Sequence, residues 1–133
     1  MSVVRVLVPV DGSEVSERAI RFAAEFARRF EAELHVVHVT DAETEASDRI
    51  VERARDILEE EGVADEPSVS IDGSLEFRSA NRVGEDIVEL ATEEGYDHVV
   101  MGHHGEGTVD RLILGSAAET VLRAGEVPVT VVP

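Results

Sequence analysis

The sequence predicts an α/β fold in which a doubly wound, parallel five-stranded sheet carries helices on both faces. Short apolar runs alternate with longer stretches whose apolar residues recur every three or four positions, in the order β-α-β-α-β-α-β-α-β. Alternation at this period is typical of parallel strands joined by crossover helices. With 133 residues and 43% hydrophobic content, the chain is expected to form one domain, residues 1–133, around a single core.

The first strand is predicted at residues 3–10, whose nearly continuous β-branched run suits a central strand covered on both faces. Ser13 follows the strand and is placed to cap the next helix. That helix carries an apolar stripe at helical spacing, which includes three of the four phenylalanines. We expect the whole stripe to pack into the core: Ala19, Phe22, Ala23, Phe26, Ala27 and Phe30.

A second strand and helix follow directly. The strand is predicted at 34–39, and the helix is expected to begin with Ser47 as its N-cap and to stop at Gly62. The acidic segment 63–73 contains a weak strand signal near 69–71.

For the third strand, the segment 75–77 is the better of the two candidates. Asn81 is the predicted N-cap of a third helix over 83–94. A fourth strand near 99–101 leads through a glycine-rich loop to a helix over 117–124. The last strand covers 127–132, and its Pro128 favours an edge position because proline cannot donate to a strand ladder.

The charge balance excludes several partners. The chain has 29 acids against 12 bases, a net charge of −17, and every base is arginine. Such a surface repels nucleic acid and anionic membrane, and we expect neither as a partner. It also favours adaptation to molar salt, where screening shortens self-repulsion to about 3 Å at 1 M. Without cysteines, a signal-peptide pattern or an apolar run of membrane-spanning length, the sequence is expected to be cytoplasmic.

The loop after the fourth strand has the composition of a phosphate-binding loop. Gly102, Gly105, Gly107 and Gly115 precede Ser116 at the start of a helical pattern. Glycines let backbone N–H groups approach a ligand, and a helix N-terminus adds unpaired donors and a positive dipole end. In a doubly wound sheet, ligands bind beyond the carboxyl ends of the strands where the strand order reverses. If strands one and four are neighbours there, Asp11 and Gly102 face each other.

At these residues the chain resembles the universal stress protein family over nearly its whole length. The segment Val8-Pro-Val-Asp-Gly-Ser-Glu is similar to the family's first strand and turn. The spacing of Gly102, Gly105 and Gly115-Ser116 matches the G-x2-G-x9-G-[S/T] motif of the family's ATP-binding branch. The resemblance implies a Rossmann-like sheet of the adenine nucleotide alpha hydrolase type.

The resemblance also implies an ATP site at the carboxyl ends of strands one and four. Asp11 would bond the ribose, the backbone of Val39 would meet the adenine edge, and the glycines with Ser116 would line the triphosphate. The full set of implied nucleotide-binding residues is Pro9, Val10, Asp11, Val39, Met101, Gly102, His104, Gly105, Gly115, Ser116 and Ala117. Two structural alternatives stay open, since Asp11 could cap the first helix and Gly115 could merely permit a tight turn.

One position departs from the family pattern. Family members commonly carry a basic residue where this chain has Glu106. A carboxylate repels phosphate unless a cation intervenes, so Glu106 either turns to solvent or requires bound Mg²⁺. A zinc site is not expected at His103-His104, because adjacent side chains point apart and no cysteine is present. His38 and His98, on buried strands, are expected to be hydrogen-bonded core residues.

The sequence favours a binding module over an efficient enzyme and leaves enzymatic activity undecided. No catalytic residues are identified, because Ser116 has no histidine at a triad spacing and no G-K-[ST] loop occurs. The preferred function is an ATP-dependent regulatory module of the stress response. The alternatives are a slow ATP hydrolase and a nucleotide-independent dimeric scaffold. The apolar edge strand and the resemblance both favour a homodimer through 127–132.

Overall fold

The computed structural model describes residues 3–73, 82–104 and 114–133, and these residues form strands and helices in the predicted order. The elements are β1 (Arg5–Pro9), α1 (Glu14–Phe30), β2 (Glu33–Thr40), α2 (Glu45–Glu61), β3 (Ser68–Ile71), α3 (Arg82–Glu93), β4 (His98–Gly102), α4 (Ser116–Ala124) and β5 (Val129–Val132). No helix in these ranges is both long and apolar enough to span a membrane.

The five strands form one parallel sheet in the order β3-β2-β1-β4-β5. β1 lies at the centre, with Leu7 opposite His35 of β2 on one side and Val99 of β4 on the other. The chain therefore winds outward from β1 in one direction, returns, and continues from β4 in the other. The predicted fold class is confirmed, and so are the pairing of strands one and four and the edge position of β5.

Alternate residues of β1 belong to different halves of the core. Val6 and Val8 pack beneath α1 and α2, together with Ile20 and Ile57. Leu7 belongs to a second cluster on the other face, which includes residues of α3 and α4. The central strand is thus covered on both faces, as its unbroken apolar run predicted.

The phenylalanine stripe of α1 does not pack as predicted. Phe22 and Phe30 are 44% and 65% exposed, whereas the alanines of the same stripe are buried. Phe26 is partly buried and lies against Phe30, with 4.7 Å between ring centroids. The helix approaches the sheet through its small residues, so the larger rings are left at the margins of the contact. Expecting all three rings in the core was therefore wrong.

The start of α2 also differs from the prediction. Thr44, three residues before the predicted N-cap, is the N-cap, and its hydroxyl accepts from the Ser47 N–H at 3.2 Å. The Ser47 hydroxyl oxygen accepts in turn from the Thr44 N–H at 2.7 Å. This is a capping box with serine at its second position, and it satisfies two backbone donors reciprocally. The predicted stop at Gly62 is confirmed by its left-handed backbone, with φ of 70°.

The third strand is the weaker of the two sequence candidates. β3 (Ser68–Ile71) pairs with β2, with Val69 opposite His38. It lies at the sheet edge and is half-buried to exposed, so it needs little of the apolar alternation that marks an interior strand. The preferred candidate, 75–77, lies outside the described residues, as does the predicted N-cap Asn81.

Helices α3 and α4 approach each other at a buried glycine. A Cβ added at Gly84 would lie 2.5 Å from the Cβ of Thr120 and 3.0 Å from the carbonyl oxygen of Ala117. The first distance is too short for any side chain, and the second is tighter than an ordinary contact. Gly84 lowers the helix propensity of α3, but its missing side chain is what allows α4 to lie against this helix.

Candidate functional site

A cavity of about 380 Å³ lies at the carboxyl ends of the strands, where the strand order reverses between β1 and β4. Its walls come from the ends of β1, β2 and β4 and from three of the helices. The lining residues are Pro9, Val10, Asp11, Ser16, Val39, Val83, Ile87, Met101, Gly102, His104, Gly115, Ser116, Ala117 and Ala118.

The cavity gathers ten of the eleven residues that the sequence singled out for nucleotide binding. They come from the end of β1, from β2, from β4 and its loop, and from the start of α4. Gly105 is the eleventh, and it lies outside the described residues together with Glu106. Asp11 and Gly102 line the same space, as predicted for neighbouring strands.

Asp11 contributes to the turn that leads into α1. Its Oδ1 accepts a hydrogen bond of 3.0 Å from the Ser13 N–H. The helix cap itself is Ser13, as predicted, because its hydroxyl oxygen accepts from the Ser16 N–H at 3.1 Å. The alternative role of Asp11 as the helix cap is therefore not observed. Its contact with the turn holds the carboxylate at the cavity wall.

Gly102 has a packing role that is independent of any ligand. A Cβ at this position would lie 2.5 Å from Cγ1 of Val15 and 3.2 Å from the backbone carbon of the same residue. The start of α1 therefore lies directly against the end of β4. A larger residue would push the helix away and open the cavity wall that Ser16 forms.

The N-terminus of α4 points its first turn toward the cavity. Gly115 is the N-cap, and its N–H donates to the carbonyl oxygen of His103 at 2.7 Å. The helix begins at Ser116, one residue before its predicted start. Ser116, Ala117 and the buried Ala118 line the cavity, so the backbone donors of this turn lie at its wall. Such a helix end favours an anionic group.

The two adjacent histidines lie against each other, which corrects the expectation that they point apart. Their ring centroids are 4.1 Å apart in an edge-to-face arrangement. His104 lines the cavity, while His103 is only 6% exposed. Neither ring nitrogen of His103 has a hydrogen-bond partner in the described part of the chain.

The strand histidines are hydrogen-bonded, as predicted. Nδ1 of His38 lies 2.7 Å from the carbonyl oxygen of Val10, to which it donates. Nε2 of His98 lies 2.7 Å from the hydroxyl oxygen of Thr130, and burial lowers the pKa of His98. The bond from His38 fixes the backbone of Val10 at the cavity wall, since it ties the end of β1 to β2.

Four lining residues were not found from the sequence: Ser16, Val83, Ile87 and Ala118. Val83 and Ile87 are one turn apart on α3, and the sequence identified Val83 only as the first residue of this helix and Ile87 only as one of its inward-facing residues. Ser16 had no distinguishing signal, because its position depends on how closely α1 approaches β4. These residues give the cavity an apolar wall next to Val39 and Met101.

A partly buried ionic cluster anchors α3 beside this wall. Arg82 donates from Nε to Asp72 at 2.9 Å, and its Nη2 lies 3.1 Å from Oδ1 of Asp86. Burial raises the pKa of Asp86 to about 6, and the neighbouring Asp72 adds to this effect, whereas Arg82 opposes it. The cluster ties the end of β3 to the helix that carries Val83 and Ile87.

The protein is a doubly wound α/β protein with a ligand-sized cavity at its switch point, which is the place where the strand order reverses. This class is defined by the sheet order, the close helix contacts and the glycine-lined cleft at the reversal. The universal stress protein family model matches residues 3–133. A universal stress protein of Methanocaldococcus jannaschii is 33% identical over 96% of this chain and 81% of its own length. The chain therefore belongs to the universal stress protein family, which confirms the resemblance.

Solved structures of the same family carry nucleotides. The universal stress protein from Archaeoglobus fulgidus in complex with dAMP is 26% identical, with 99% of this chain and 98% of that chain covered and a TM-score of 0.74. A universal stress protein in complex with cAMP is 25% identical, with coverage of 100% and 98% and a TM-score of 0.76.

The raised pKa of Asp86 predicts a specific pH dependence of stability. In the unfolded chain the carboxyl has its ordinary pKa of 3.8, below the folded value of about 6. The folded state therefore binds the proton more tightly than the unfolded state does. The resulting contribution to the free energy of unfolding is complete below about pH 4 and is lost as the pH rises through 6. Asp86→Asn removes this titration. The unfolding free energy of the variant minus that of wild type should therefore be about 2 kcal/mol more positive at pH 7.5 than at pH 4.5.

Urea unfolding at both pH values measures this difference. Glu85→Gln is the matched control, since Glu85 contacts the same arginine at 3.3 Å but is about half exposed. The unfolding free energy of Glu85→Gln relative to wild type should change by less than about 0.5 kcal/mol over the same pH range. Identical pH profiles for the two variants would contradict the assignment of a raised pKa to Asp86.

Proposed function

We propose that this protein binds an adenine nucleotide, with ATP as the preferred ligand, in the cavity at the carboxyl ends of β1 and β4. It would act as a nucleotide-dependent regulatory module in the stress response. The observation that carries the proposal is the convergence of ten predicted residues on one cavity at the N-terminus of α4. The dAMP and cAMP complexes of two relatives support an adenine nucleotide.

The chemistry of the walls suits the parts of a nucleotide. Val39, Met101 and Ile87 offer an apolar surface for the base, and Asp11 offers a carboxylate oxygen to ribose hydroxyls. The first turn of α4, with Gly115 and Ser116, offers backbone N–H groups and a hydroxyl to the phosphates. The cavity volume of about 380 Å³ lies within the range of small-molecule sites.

Replacement of one carboxylate should weaken nucleotide binding selectively. Asp11→Ala removes an acceptor for the ribose, and we expect its affinity for ATP to fall about 10- to 100-fold, the usual range for a lost hydrogen bond to a charged group. Asp56→Ala is the control, because it removes the same charge from the exposed face of α2. Isothermal titration calorimetry measures both, and equal affinities would contradict the site.

A proposed role for Mg²⁺ rests on Glu106, which lies outside the described residues. A carboxylate in the phosphate loop of a chain with net charge −17 would require a cation between it and the ligand. We therefore expect tighter ATP binding with Mg²⁺ than with EDTA, and Glu106→Gln should reduce that difference. Identical affinities with and without Mg²⁺ would remove the metal from the proposal.

We also propose a homodimer through the C-terminal strand, 127–132. β5 is an edge strand, and the carbonyls of Pro128 and Val132 face β4, where they accept from Val99 and His103. Since backbone groups alternate along a strand, the N–H and C=O of Val129 and Val131 point to the open edge. These groups are available to a second copy. An exposed aromatic ring also lies near this edge: Phe22 is one turn from Arg18 on α1, and Nε of Arg18 donates to the carbonyl oxygen of Pro133, which follows β5.

Val131→Pro should produce a monomer. It removes an outward N–H without removing a bond to β4, so the protomer should remain folded. Val131→Thr keeps the N–H and the branched shape and should remain dimeric. Light scattering gives the mass of each variant, and circular dichroism verifies its fold. A dimer that persists in the folded proline variant would place the interface elsewhere.

We further propose that this is a cytoplasmic protein adapted to molar salt. The support is its net charge of −17, built without a single lysine. The self-repulsion of such a surface lowers the stability of the folded state unless salt screens it. The melting temperature should therefore be higher in 3 M KCl than in 0.1 M KCl. Equal melting temperatures in the two solutions would contradict the proposal.

A further inference from the structure

A second cavity of about 310 Å³ lies between helices α1 and α2, on the side of the sheet opposite α3 and α4. It shares Val10, Asp11 and Ser16 with the nucleotide cavity, but its other walls are different. Five helix residues form its apolar part: Ile20, Ala46, Ile50, Ala54 and Ile57. Three of these, Ile20, Ala54 and Ile57, are fully buried, so the floor that a ligand can reach is formed by Ala46 and Ile50.

Two arginines stand at the rim of this second cavity. Arg49 and Arg53 are one turn apart on α2, and both line the space. Arg53 is already engaged, since its Nη2 lies 3.1 Å from Oε1 of Glu17 on α1. This pair bridges the two helices and neutralises one of the two positive charges.

Arg49 has no such partner among the residues that the structure describes. The described residues include ten arginines, and nine of them form an ion pair or a hydrogen bond: Arg5, Arg18, Arg21, Arg28, Arg29, Arg53, Arg55, Arg82 and Arg123. Within the described ranges, Arg49 alone makes neither, although the chain has 29 acids and Glu45 and Glu52 lie one turn away on the same helix. Its side chain lines the cavity instead.

We propose that this cavity binds a small organic carboxylate with an apolar body. The guanidinium of Arg49 would receive the carboxylate, because its planar fork matches that group in a two-bond arrangement. The apolar body would lie on the floor of Ala46 and Ile50, and burial of its surface would supply the rest of the affinity.

The charge and size of the cavity select this class of ligand. The lining carries Arg49 and Arg53 against the carboxylates of Asp11 and Glu17, so its formal charge is zero, and a monoanion meets less repulsion there than a phosphate dianion would. A bare inorganic anion would leave the apolar floor unused. The volume of about 310 Å³ is at the lower end of small-molecule sites, which suits a molecule smaller than a nucleotide.

The test uses octanoate as the probe, titrated into the full chain in 1 M KCl and followed by amide chemical shifts in nuclear magnetic resonance. Octanoate should bind and shift the amides of Ile20, Ile50 and Ala54. Octanamide, which has the same body without the charge, and acetate, which has the charge without the body, should each bind at least tenfold more weakly. No binding of octanoate, or equal binding of octanamide, would overturn the proposal.

Arg49→Gln should weaken octanoate binding at least tenfold, as expected when a charge-assisted hydrogen bond is lost. Arg55→Gln is the matched control, because Arg55 lies on the same helix, pairs with Glu66 and does not line the cavity. Both side chains are on the surface, so neither change should unfold the chain. Equal octanoate affinity in the two variants would overturn the role of Arg49.

A nucleotide titration separates this proposal from the nucleotide site. Arg49→Gln should bind ATP with the affinity of wild type, since Arg49 does not line the nucleotide cavity. If octanoate shifts Val39 and Met101 instead of Ile50 and Ala54, it occupies the nucleotide cavity and the second site is wrong. If ATP does not bind but octanoate shifts the α1–α2 residues, the second site stands without the first.

Discussion

The parallel pairing of β1 with β4 is the constraint on which the rest of this structure depends. β1 is buried on both faces, and the chain leaves it toward β2 but returns beside it as β4. At that reversal the connections leave in opposite directions, and a space opens beyond the strand ends. The space can be a cavity rather than a gap only if the helices on either side lie close to the sheet.

Missing side chains provide that closeness. Gly102 lets the start of α1 lie against the end of β4, and Gly84 lets α4 lie against α3. In the sequence, Gly102 is part of a phosphate-loop pattern, but its contact with Val15 would require glycine even without a ligand. Packing alone can therefore require a glycine at this position of the motif. The two roles cannot be separated by the motif alone.

Charge is distributed unevenly between the two cavities. Most arginines of the described segments are used in ion pairs or backbone contacts, in a chain whose acids outnumber its bases by 29 to 12. The cavity at the ends of β1 and β4 offers a helix N-terminus rather than an arginine to an anion, as far as its described walls extend. The cavity between α1 and α2 has instead a guanidinium over an apolar floor. The two cavities share the turn that follows β1, and so they are neighbours with different chemistry.

The sequence by itself determined the order of the elements and the edge position of β5, and it named ten residues that line the cavity at the ends of β1 and β4. It could do so because apolar periodicity, proline chemistry and glycine spacing are local properties of the chain. The tertiary structure decided which parts of α1 are buried, since Phe22 and Phe30 are exposed where alanines meet the sheet. It also selected β3, placed Val83 and Ile87 at the cavity, and left Arg49 without a partner in the described residues. These features depend on distances between helices and strands far apart in the chain, which no local pattern contains.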